Sequence, residues 1–127
     1  NVDPASLYFD TNENLQVGTY VGFGATGNGI TGFDINTAGT KRAGQNIIGL
    51  GSRLANYGLG DNLLVSDFDD PHTANDDPLS QPLFLEYQLA PGDSGGGLFI
   101  DGKVAGIHSS IISLFDNSND ASYGDFS

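Results

Sequence analysis

Apolar residues in this chain come only in short runs, each closed off by glycine, proline, asparagine or aspartate. None approaches the roughly 20 residues that a membrane-spanning helix requires. None carries the sustained 3.6-residue period of a helical bundle either. Nineteen glycines and five prolines are scattered rather than repeated, so the punctuation marks strand ends and not a repeat array. Candidate strands are Val17 to Phe23, Gln45 to Leu50, Asn62 to Phe68, Pro82 to Gln88, Gly96 to Ile100 and Lys103 to Ser109. The best helical candidate is the short stretch Ser52 to Tyr57. Asp34 to Thr40, Asp67 to Ser80 and Asp116 to Gly124 read as polar loops. The sharpest local signal is Ile100-Asp101-Gly102-Lys103, because Asp-Gly between two apolar runs favours a two-residue hairpin with both central residues at positive φ. Six short strands in 127 residues predict an all-β domain, a small barrel or sandwich spanning residues 1–127.

Charge narrows the partners. Sixteen Asp and Glu against four Lys and Arg give a formal net charge of −12. Phosphate neutralisation needs clustered cations, and Lys41, Arg42, Arg53 and Lys103 offer one dipeptide, so no nucleic acid and no anionic membrane is expected as a partner. Disulfides, thiolate metal sites and a cysteine nucleophile are excluded by the absence of cysteine. The chain starts at Asn1 and contains no methionine, so a processed product or a piece of a longer precursor is expected.

One stretch stands apart chemically: Ala90-Pro91-Gly92-Asp93-Ser94-Gly95-Gly96-Gly97-Leu98-Phe99-Ile100. Glycines on both sides let the backbone turn tightly around Ser94 and present its hydroxyl and N–H together. A tetrahedral intermediate needs a nucleophile on one side and N–H donors on the other, and Gly92 and Ser94 can supply both donors. A bare Gly-x-Ser-x-Gly is weak by itself. Here an apolar strand, an Asp-Gly hairpin and a second strand, Val104-Ala105-Gly106-Ile107-His108-Ser109, follow at once.

In this context the sequence resembles the C-terminal half of a chymotrypsin-like (trypsin-like) serine protease of bacterial secreted type. Gly92-Asp93-Ser94-Gly95-Gly96 matches the motif around the family's nucleophile, and Gly102 to Ile107 matches the strand pair after it. Upstream, Gly22-Phe23-Gly24-Ala25-Thr26 resembles the Gly-Trp-Gly-x-Thr segment that opens the second barrel, with Phe23 replacing Trp. Lys41 to Asn46 and Tyr123-Gly124-Asp125 also resemble segments of bacterial members. The resemblance implies a six-stranded antiparallel Greek-key barrel, the second of two, ending before the family's last strand and C-terminal helix. It implies that Ser94 is the nucleophile, that Gly92 and Ser94 form the oxyanion hole, and that Asp93 pairs with a newly freed N-terminal ammonium in activated members. Gln88 would lie near the base of the primary specificity pocket, His108 on the strand lining it, and Ser109, Ser110 and Ile111 on the edge that binds the substrate backbone. There is no Asp at Gln88, and His108 suggests a polar or acidic residue before the cut rather than a basic one.

The pattern breaks at the general base. In the family, the catalytic His and Asp come from the N-terminal barrel, whose Ala-Ala-His signature is absent from these 127 residues. The order His72, Asp76, Ser94 mimics the family's, yet Pro71 and the carboxylates around it suit a solvated turn better than an orienting site. A partner chain carrying His and Asp, or self-association over the exposed barrel face, is therefore expected. So is inactivity of the chain alone. The substrate class implied is protein or peptide, no cofactor is required, and a secreted location, extracellular or periplasmic, follows from the resemblance. Calcium is a candidate stabiliser at Asp67, Asp69, Asp70, Asp76 and Asp77, since it takes six to eight hard oxygen ligands. From other classes, a non-catalytic calcium-stabilised β module and a pseudoprotease remain as alternatives. Gly58-Leu59-Gly60-Asp61-Asn62-Leu63 resembles one unit of a calcium-binding β-roll, but no nine-residue period continues it.

Overall fold

A computed structural model describes residues 2–28, 32–68, 78, 79, 81, 83–113, 125 and 126 of the chain. It is mostly β, with short 3-10 turns at Ile35–Thr37 and Gly51–Tyr57 as its helical content. Ten strands alternate with these turns: β1 Val17–Gly22, β2 Thr26–Asn28, β3 Gly32–Asp34, β4 Arg42–Ile47, β5 Gly49–Leu50, β6 Leu64–Val65, β7 Gly97–Ile100, β8 Lys103–Ile107, β9 Ile112–Ser113 and β10 Asp125–Phe126. A four-stranded antiparallel sheet in the order β4-β1-β7-β8 carries the core, and three two-stranded pairs (β2-β3, β5-β6, β9-β10) flank it. Among the described residues these strands do not close into a barrel.

The central strand β1 shows why this sequence makes a sheet. Its β-branched Val17, Thr19 and Val21 alternate with Gly18, Tyr20 and Gly22, and it is the second set that is buried. That is the period-2 pattern of a half-buried strand. The partners alternate in size too: Tyr20 stands opposite Gly44 on β4 and Leu98 on β7, so one large ring fills the space two smaller residues leave. Tyr20, Ile48, Leu89, Leu98 and Ile100 form the buried cluster, with Tyr8, Leu64, Tyr87 and Ala105 packed against it. The Tyr20 hydroxyl shares a hydrogen bond with buried Ser66, and burial pushes the phenol up to about 12.

The β7-β8 hairpin turns as its Asp-Gly pair predicts, with Asp101 at φ 49° and Gly102 at φ 75° and Ile100 facing Lys103. A register shift between Leu98 and Phe99 leaves Ala105 as the extra residue of a bulge in β8. Other expectations change. Gln45 to Leu50 is the end of β4 plus β5, and Asn62 to Phe68 contracts to β6. Residues 83–88 form no strand; Glu86 makes one isolated parallel bridge to Gln45 along the β4 edge. Strands β2 and β3, absent from the expectation, pair through Thr26 and Asp34. The loop at 116–124 lies outside the described residues, as does most of Asp67 to Ser80. No helix among the described residues is long and apolar enough to cross a membrane.

Candidate active site

The Gly92–Ser94 turn sits just before β7. Gly92 adopts φ 101° and Gly95 φ 85°, conformations open to glycine and costly for other residues. Ser94 is exposed, whereas its neighbour Asp93 is buried. The Asp93 N–H donates to the Ala90 carbonyl at 3.0 Å, and the Ala90 N–H donates back to Asp93 Oδ2 at 2.9 Å, closing the turn in both directions. From across the sheet, the Gly24 N–H donates to Asp93 Oδ1 at 2.7 Å. The Tyr87 hydroxyl stands beside the same carboxylate, both crowding the space where a Cβ at Gly22 would lie, and burial together with that carboxylate as acceptor holds the phenol well above the usual tyrosine range. Pro91 accepts from the Ala25 N–H at 3.0 Å, anchoring the other side of the turn. Among the described residues, the Gly92 and Ser94 N–H groups donate to no acceptor.

His108 is fastened to this turn through its backbone. The Gly95 N–H donates to the His108 carbonyl and the His108 N–H donates to the Gly96 carbonyl, both at 2.9 Å, extending the β7-β8 ladder. Its ring stacks on Tyr20 at 5.3 Å between centroids and 4° between planes, and on Tyr87 at 6.2 Å and 26°. Only 6% of His108 is exposed, yet Nε2 has no hydrogen-bond partner among the described residues. Burial pushes the imidazole below its ordinary value, against the Asp93 charge and the Val21 backbone, both of which favour the protonated ring. His108 also lines a half-open cavity of about 200 Å³ with Tyr20, Leu89, Leu98, Ser109 and Ser110.

The sequence-predicted residues thus divide. Gly92, Asp93, Ser94 and His108 come together around one turn; of these four only His108 lines the cavity, together with Ser109 and Ser110. Gln88 is half-buried and does not line that cavity; its neighbour Leu89 does. Ile111 is exposed and stands outside the cavity lining, and residues 108–111 have no strand pairing. Asp69, Asp70, Asp76 and Asp77, with His72, lie outside the described residues, leaving only Asp67 of the calcium set in view. Among the described residues no group of three or more His, Asp or Glu side chains gathers to hold a metal ion. Tyr87 and Tyr20 were not anticipated as site residues. The one sequence signal for them is the glycines opposite: a Cβ at Gly22 would fall 2.5 Å from the Tyr87 hydroxyl, and one at Gly44 2.9 Å from Tyr87 Cβ.

Comparison of the chain with protein-family models, with curated proteins and with solved structures finds no match.

Proposed function

We propose that this chain is the nucleophile-bearing half of a secreted serine endopeptidase of the chymotrypsin-like type. The observation that carries the reading is the pairing of an exposed Ser94 with two unengaged N–H groups on a turn pinned from below by buried Asp93. In this reading the chain contributes strands to a six-stranded Greek-key barrel that packs on an N-terminal barrel. Ser94 Oγ attacks the scissile carbonyl carbon while its proton passes to a histidine of the partner barrel. The Gly92 and Ser94 N–H groups stabilise the oxyanion, and the proton then moves to the departing amine, leaving an acyl-enzyme that water hydrolyses. No metal or cofactor takes part in these steps. A calcium ion in the acidic loop would act on stability alone.

The cavity lined by His108 is the proposed pocket for the residue before the cut. A buried imidazole whose Nε2 has no partner among the described residues, beside Ser109 and Ser110, suits a carboxylate or a polar side chain, and an arriving carboxylate would favour proton uptake by His108. Profiling a peptide library with the complete enzyme tests this, and strict cutting after Lys or Arg overturns it.

Labelling with a fluorophosphonate probe tests the nucleophile. Ser94 is expected to react in the presence of the partner barrel, to lose labelling in Ser94→Ala, and to react hardly at all in the isolated chain, which lacks the base. Full peptidase activity from this chain as a monomer would refute the two-barrel account.

A further inference from the structure

We infer that Tyr87 is a positioning residue for the nucleophile turn: its phenol joins the Gly24 and Ala90 amides in fixing the Asp93 carboxylate, so the Gly92–Ser94 backbone is set from inside the chain. The inference rests on the hydrolase reading above. Asp93 is 3% exposed, and a carboxylate at that depth persists only with donors around it. Three groups surround it: the Gly24 N–H beyond the end of β1, and the Ala90 N–H and the Tyr87 phenol from the one segment that runs along β4 into the turn.

The surroundings are shaped for this meeting. Tyr87 is itself held in place by the β4 edge, where the Gln45 N–H donates to the Leu85 carbonyl at 2.8 Å and the Tyr87 N–H donates to the Gln45 carbonyl at 2.9 Å. Glycines supply the room on both sides. A Cβ at Gly22 would lie 1.8 Å from Asp93 Oδ1, and one at Gly24 2.4 Å from Oδ2. The Tyr87 ring also stacks against His108, so one side chain touches both the carboxylate under the nucleophile and the imidazole at the cavity. Hydrogen bonding to Asp93 requires the phenol to keep its proton, and burial together with that bond keeps it there. A turn fixed this way has no need of an ammonium released by cleavage elsewhere in the precursor.

The test uses the full-length protein with both barrels. Wild type, Tyr87→Phe and wild type with its α-amine chemically blocked are compared for fluorophosphonate labelling rate, kcat and KM on a cleaved peptide, and melting temperature. Tyr87→Phe is expected to lower kcat and labelling by about 10-fold to 100-fold, with KM within about twofold, because a displaced turn mis-sets the nucleophile and the donors together. Blocking the α-amine is expected to change kcat by less than about twofold. Tyr87→Phe that labels and turns over like wild type, whatever its melting temperature, overturns the positioning role. So does loss of activity on blocking the amine, an arm that stands even if Tyr87→Phe does not fold. A wild type that labels nowhere at Ser94 overturns the hydrolase reading itself.

Discussion

Two buried polar side chains flank the exposed Ser94, and they are treated in opposite ways. Asp93 and His108 are buried almost equally, and their backbones belong to one continuous set of hydrogen bonds through Gly95 and Gly96. Yet the Asp93 carboxylate is surrounded by donors from two segments, while His108 Nε2 has no partner among the described residues. An unsatisfied buried polar atom costs about 1–3 kcal/mol, so a fold keeps one only where something else compensates. The difference teaches that Asp93 is part of the scaffold, with its bonding complete in the folded chain. His108 instead keeps a buried nitrogen without a partner among the described residues, in a residue that also lines a cavity.

The largest expected effect comes from breaking the satisfied side. Asp93→Ala strands the Gly24 and Ala90 amides and the Tyr87 phenol in the interior at once. A loss of about 3 kcal/mol or more is expected in denaturant unfolding, given roughly 1–3 kcal/mol for each stranded group. A loss below 1 kcal/mol would mean that the carboxylate is dispensable to the scaffold. Gly22→Ala attacks the same contact from the other partner. Its methyl would fall 1.8 Å from Asp93 Oδ1, on a sheet strand with little freedom to yield, and about 1–3 kcal/mol of overpacking is expected. Gly106→Ala, on β8 of the same sheet, is the control for adding a methyl without a clash, since a Cβ there makes ordinary van der Waals contacts, the nearest with Leu98 Cδ2 at 3.6 Å.

How far the sequence discloses these features follows from how local each one is. The Asp101-Gly102 turn is encoded in two adjacent residues whose backbone preferences select it, and it forms as expected. Strand β1 is legible because its buried and exposed residues alternate within one short run. Residues 83–88 look equally strand-like, but pairing is a property of two segments, and this one meets β4 at a single bridge. Strands β2 and β3 are three residues each, rich in Gly and Asn, and exist through their mutual register rather than through propensity. The site divides on the same principle. The Gly92–Ser94 turn and His108 lie within one continuous stretch of sequence. The role of Tyr87 depends on its meeting with Asp93 in a space left by Gly22 and Gly24, residues more than sixty positions upstream.

The smallest effect sharpens the comparison from the unsatisfied side. His108→Leu removes an imidazole whose Nε2 contributes no bond and replaces it with an apolar side chain beside Tyr20 and Leu98, so unfolding free energy at pH 8 is expected within about 1 kcal/mol of wild type. The informative quantity is its change with pH. Burial lowers the folded-state pKa of His108 below the 6.5 of the unfolded chain. Above that value the ring is neutral in both states and costs nothing. As pH falls through it, the unfolded chain takes up a proton that the folded chain resists, so wild type loses stability progressively toward pH 5.5. His108→Leu has no such term. His72, the other histidine, is common to both proteins, so the difference between their slopes belongs to His108 alone. The variant should therefore gain on wild type as the solution is acidified. Parallel slopes between pH 8 and 5.5 would mean that the imidazole finds a partner when protonated, and the contrast with Asp93 would collapse.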